Sequence, residues 1–227
     1  MPWTLSARWK ENSMSTVSPH APEVCIEVID TDLPRTSLSS LRSRDWVAID
    51  SETTGLDWAE DKLALIQVYM PSQGRVYLVR ISGDDAPNLS ALIESSEIKK
   101  VFHHAMFDLR FLVKRFKVRP ANIACTKIAS KIVSPDRQRH SLSDLVEECF
   151  GVKLDKSVAV SDWLAPSLTD DQLTYASEDV IFLPSLLERL IESARSENIR
   201  SLIEASFAYI PFRARLDIAG VGDVFTY

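Results

Sequence analysis

Apolar positions follow two rhythms along this chain, and each rhythm predicts a different kind of element. Compact apolar runs between polar turns mark strands at 46–51, 63–70 (LALIQVYM) and 75–80 (RVYLVR), with Gly55 and Gly74 in the turns. Residues 23–29 (EVCIEVI), 99–103 (KKVFH) and 123–126 read as further strands. Helical spacing predicts helices at 88–96, 105–116 and 127–133, and a short one within TDLPRTSLSSLRSRD. Ser141 and Asp144 resemble a capping box that opens another helix, with Gly151 as its stop. The longest helical pattern begins at Thr169 or Asp170 and contains Pro184, so a kink is expected near Phe182. A last helix at 199–215 leads to a short tail ending at Tyr227. Strands first, then alternating strands and helices, then helices alone predict an α/β fold, with a mixed sheet flanked by helices on both faces.

At 227 residues the chain is long enough for one well-packed domain, taken to run over 23–227 with a C-terminal helical extension. The polar N-terminus lacks the apolar segment of a secretory signal and reads as a disordered leader over 1–22, with Met14 as an alternative start. No apolar run approaches the length of a membrane span, so a membrane partner is not expected. Cys25, Cys125 and Cys149 are odd in number and widely spaced, which fits unpaired thiols in a reducing cytoplasm better than a metal knuckle.

A net charge of −6 argues against a nucleic-acid partner until its distribution is considered. From Lys99 to His140 the basic residues include Lys99, Lys100, Arg110, Lys114, Arg115, Lys117, Arg119, Lys127, Lys131, Arg137 and Arg139, against only Asp108 and Asp136. Such a stretch is equally a phosphate-attracting face and the solvated side of amphipathic helices.

The acids carry more information. In WVAIDSETTGL an apolar run ends in Asp50 and Glu52, whose spacing of two puts both side chains on one face of a strand. Asp108 lies one turn into a helix that follows a strand, and Asp179 is embedded in an apolar helical face, with Tyr175 four residues before it. Acids brought together this way repel one another and need cations. Hard oxygen donors in that number suit magnesium or manganese, and a pair of such ions about 3.5–4 Å apart can serve phosphodiester hydrolysis.

IDSET, FHHAMFD and YASED resemble the three motifs of the DEDD 3′–5′ exonucleases. The Tyr175–Asp179 spacing is that of the tyrosine subgroup, which includes ribonuclease D and the proofreading domains of family A polymerases. CTKIAS, HSLSDLVEECFGVKLDKS and SDW are similar to ribonuclease D as well, and the likeness runs from about Val24 to Tyr209. The resemblance implies a ribonuclease H-like fold and a divalent-metal-dependent 3′–5′ exoribonuclease that releases nucleoside 5′-monophosphates from single-stranded RNA 3′ ends. Two ions, Mg²⁺ or Mn²⁺, are implied. Asp50, Glu52 and Asp179 would hold one, while Asp50 and, through water, Asp108 would hold the other. Tyr175 would orient the attacking water, with Glu52 beside it among the catalytic groups. Thr53, Leu56, His104 and Phe107 match contacts to the terminal nucleotide, although His104 stands where many members have Asn.

The chain ends without room for the HRDC domains of longer ribonuclease D proteins. RNA processing, including that of tRNA, in the cytoplasm is the implied setting, and a monomer is favoured over an oligomer. A DNA 3′–5′ exonuclease is the enzyme alternative, and a non-catalytic nucleic-acid-binding protein on the same fold is the alternative of another class. Elsewhere the plainer readings are preferred. His103 and His140 are taken as hydrogen-bonded structural residues, Asp162 as a cap or turn, and Trp163 as a core or wall residue.

Overall fold

The run LALIQVYM forms β3 (Leu63–Met70), and all eight of its residues are buried. Side chains alternate faces along a strand, so burial at every position requires cover on both sides of the sheet. This computed structural model describes residues 23–83 and 85–226, and the leader expected over 1–22 lies outside the described residues. Around β3 are ordered β1 (Cys25–Asp30), β2 (Trp46–Thr53), β4 (Arg75–Arg80), β5 (Lys99–Phe102) and β6 (Ile123–Cys125), in the spatial order β1-β4-β3-β2-β5-β6. β3 is antiparallel to both neighbours, whereas β1 with β4, β2 with β5, and β5 with β6 pair in parallel. The mixed sheet expected from the pattern is present.

The eight helices of the described residues are α1 (Arg35–Ser39), α2 (Pro87–Glu94), α3 (Ala105–Phe116), α4 (Thr126–Val133), α5 (Leu142–Phe150), α6 (Asp170–Ile181), α7 (Leu183–Glu192) and α8 (Glu197–Ile218). The buried stripe of α3 contains Ala105, Asp108, Leu109 and Leu112, the i, i+3, i+4, i+7 positions of a core-facing helix. An aspartate therefore occupies a place where the pattern calls for an apolar residue. Ser141 caps α5 by accepting from Asp144 N–H at 3.2 Å, and its hydroxyl donates to the Asp144 carboxylate, so the cap is made but the reciprocal half of a capping box is not. A complete box is found at Thr169 and Gln172, where α6 begins.

Two boundaries differ from the pattern. The kink expected near Phe182 is a break, with α6 and α7 meeting at that residue and Pro184 in the first turn of the new helix, where its missing N–H costs nothing. The longest helix is instead α8, 22 residues capped by Ser196 and continuing through Pro211. Lys100, counted above in the basic stretch, is fully buried, and its ammonium donates to the carbonyls of Ser95 and Ile98. It is therefore no part of a phosphate-facing surface, and burial lowers its pKa to about 7. No described helix is long and apolar enough to cross a membrane.

Candidate active site

β2 outlasts its parallel neighbour. Its pairing with β5 ends at Ala48, so Asp50 and Glu52 stand past the end of that ladder, in the opening where the chain turns into α3. A register shift between Glu52 and Thr53 then breaks the regular ladder with β3, which resumes with Thr53 opposite Leu63. α6 passes over β2 and delivers Asp179. One carboxylate oxygen from each of Asp50, Glu52 and Asp179 lies within 4.8 Å of the others, and all three side chains are half-buried. Asp108 stands just outside this trio. It is 1% exposed, and its Oδ1 accepts the Ser51 hydroxyl at 2.7 Å.

The electrostatics follow from that geometry. Burial, then repulsion from the other acids, holds the carboxyls of Asp50 and Glu52 well above the carboxylate range. Burial likewise raises Asp108 and Asp179. Opposing groups are few. The Ser51 hydroxyl lowers Asp108, the Gln67 amide donates to Glu52 at 3.3 Å, and Asp179 is lowered first by the Tyr175 hydroxyl and then by the charge of Lys156. The protein's own positive charge thus does not offset the burial and mutual repulsion of these acids. Clustered oxygen donors with unneutralised charge are what a hard divalent cation requires, so the donor set fits magnesium or manganese.

Tyr175 lies on the same side of α6 as Asp179. Burial and the adjacent acids push its phenol above the ordinary value, so it is neutral across the physiological range. Its ring lies 5.9 Å from that of Trp163, which is buried as the wall residue expected. Thr53 donates its hydroxyl to Gly55 O at 2.6 Å, and Leu56 is 85% exposed at the loop that follows β2. His104 and Phe107 open α3, their rings stacked 6.5 Å apart. His104 is the N-cap of α3 with φ 66°, a left-handed conformation in which Asn, Asp and His are enriched. Asparagine and histidine both tolerate that backbone conformation.

Of the plainer readings, His103 pairs its Nδ1 with Thr126 Oγ1 at 2.8 Å, and burial holds its pKa to about 3. His140 bonds Ser130 and the Arg137 carbonyl, and Asp162 accepts from Leu164 N–H in a turn. Sequence reasoning missed Ser51, Gln67 and Lys156. Gln67 had a signal, because it is the single polar residue in LALIQVYM, where burial on both faces demands a partner.

An α/β fold in which three acids converge beside the end of an inner strand, with a fourth acid and a tyrosine close by, fits the cleft of a nuclease. Residues 25–193 match the 3′–5′ exonuclease family, and the chain belongs to it. It is 33% identical over 155 residues to DNA polymerase I of Aquifex aeolicus, covering 68% of this chain and 25% of the polymerase. With ribonuclease D of Gluconacetobacter diazotrophicus it shares 28% identity over 170 residues, covering 75% of this chain and 43% of that enzyme. The chain therefore spans less than half the length of these two relatives. Brucella melitensis NrnC bound to pGG superposes with a TM-score of 0.81 at 34% identity, over 90% of this chain and 100% of that one. The same nuclease is also known with bound Mg²⁺. The ribonuclease H-like fold of the 3′–5′ exonucleases is thereby shown.

Proposed function

We propose that the protein removes nucleotides one at a time from the 3′ ends of single-stranded RNA, releasing nucleoside 5′-monophosphates. The carrying observation is the convergence of Asp50, Glu52 and Asp179 within 4.8 Å, with Asp108 and Tyr175 beside them. Asp50, Glu52 and Asp179 would hold one divalent ion, and Asp50 with Asp108 through water a second. Bound there, Mg²⁺ or Mn²⁺ would acidify water and neutralise phosphate charge.

The chain's own groups do the rest. Tyr175 orients the attacking water through its phenol oxygen, and its raised pKa makes it an unsuitable base. Ser51 and Gln67 hold the carboxylates of Asp108 and Glu52 in place. Thr53 at the end of β2, Leu56 in the loop after it, and His104 and Phe107 at the start of α3 would grip the terminal nucleotide. Residues 23–227 act as one exonuclease unit in the cytoplasm. The ribonuclease D relatives favour RNA, and binding of pGG by NrnC favours short strands among the substrates.

The deciding assay follows 5′-labelled RNA and matched DNA in Mg²⁺ and Mn²⁺, with lengths from two nucleotides upward and with 3′-phosphate-blocked and circular controls. Stepwise shortening of RNA from a free 3′ hydroxyl is expected, and circular RNA should resist. Asp50→Ala or Asp179→Ala should abolish turnover with the fold retained. Turnover within a few-fold of the parent protein in either variant would refute the assignment.

A further inference from the structure

A cavity is lined in part by the loop that follows β2, through Trp58, Asp61 and Lys62. Its volume is about 510 Å³, within the range of small-molecule sites. Lys62, Lys114, Arg115 and Lys117 line it against the single acid Asp61, over an apolar floor that includes Trp58 and the half-exposed Leu164. In a chain of net charge −6 this is a concentrated cationic site. Three of its four cations come from the basic stretch that the sequence left undecided between phosphate face and solvated helix.

Three lining residues lead from the cavity to neighbours of the acid cluster. Its residue Leu63 is the cross-strand partner of Thr53. Its residue Phe111 lies 5.1 Å, ring to ring, from Phe107. Leu164 directly follows Trp163, the ring neighbour of Tyr175.

We propose that this cavity binds an upstream nucleotide of the strand whose 3′ end lies at the acids, with its phosphate at the lysines and its base over Trp58. The proposal rests on the exonuclease reading for its orientation. Two of the cations are already engaged, Lys114 with the Ala59 carbonyl and Arg115 with Gly83, and they hold the cavity's walls. Lys62 and Lys117 are exposed, and neither ammonium has a protein partner among the described residues. They are the groups available to a phosphate. Cations beside an aromatic floor form the combination that holds single strands, because every base has a face to stack and every link a charge.

The test is anisotropy of a 5′-fluorescein RNA octamer in EDTA, where binding is read without cleavage. Lys62→Glu with Lys117→Glu should weaken binding by roughly tenfold at unchanged Tm, and should flatten the log–log salt dependence by about 1.4, two contacts at about 0.7 each. Trp58→Leu should weaken binding too, with Trp58→Phe restoring it. In Mg²⁺, the lysine pair should raise KM and leave kcat unchanged, starting at the strand length that first reaches the cavity. Unchanged affinity in the lysine pair, or competition by poly-glutamate as strong as by RNA, would overturn the proposal. A parent protein that binds the octamer through these lysines yet never shortens it would instead refute the exonuclease reading and leave the cavity assignment standing.

Discussion

Tyr175 shows how one atom separates positioning from metal holding. Its phenol is kept neutral by burial and by Asp179, so it cannot take a proton from water at physiological pH. Tyr175→Phe keeps the ring against Trp163 and deletes only the oxygen. We expect kcat to fall by roughly 10²-fold, the low end for an acid–base group, with metal affinity and KM unchanged. Steady-state kinetics with a metal titration checks this, and full activity would reduce the residue to packing. His104 makes a different kind of demand, on the backbone. Its φ of 66° costs a β-branched residue more than it costs histidine or asparagine. His104→Asn should keep the parent Tm, whereas His104→Val should lose about 1–2 kcal/mol in chemical denaturation.

The helix that carries Tyr175 and Asp179 is fixed at its start by Thr169, which accepts from Gln172 N–H while the Gln172 side chain accepts from Thr169 N–H. The Gln172 amide also donates to Ser161 Oγ at 3.0 Å and to the Asp162 carbonyl at 3.2 Å, tying the preceding loop to α6. Thr169→Ala should cost about 1 kcal/mol in denaturant titration. Elements of this kind were legible in the sequence where a single local signal dominates. β3 and β4 match their apolar runs to the residue, and Gly151 ends α5 in the left-handed conformation that favours glycine. The four acids were legible for the related reason that charge on an apolar face stands out. What was not legible depends on partners distant in sequence. Ser51 reaches Asp108 across 57 positions, and Lys156 acts on Asp179 only because of the path its loop takes. α8 was expected over 199–215, already running through Pro211, and exceeds that range by two residues at its start and three at its end; it is the longest helix because the pattern beginning at Thr169 breaks at Phe182.

For the whole molecule, the acid cluster couples stability to pH and to metal. Asp50, Glu52, Asp108 and Asp179 titrate above their unfolded values, so the native state binds extra protons and loses stability as pH rises through those raised values. Buried Lys100 and half-buried His103 act with the opposite sign. His103, lowered to about 3, makes stability rise with pH up to its unfolded value of about 6.5. Lys100, lowered to about 7, does so from there to about 10.4. A simple pH–Tm curve therefore mixes contributions of both signs. The increment in Tm caused by Mg²⁺ isolates the acids, because neither His103 nor Lys100 belongs to the donor set. Metal competes with protons for the carboxylates, so apparent affinity rises with pH while those groups still hold protons. Each proton displaced is worth about 1.4 kcal/mol per pH unit, and ligand at 100 times its Kd stabilises by about 2.7 kcal/mol. At fixed Mg²⁺ the Tm increment should grow from pH 6 to pH 8. Asp50→Asn should remove most of that growth, and should raise the metal-free Tm by relieving repulsion on Glu52. An increment independent of pH, or one that survives Asp50→Asn undiminished, would mean that the ion binds somewhere other than these acids.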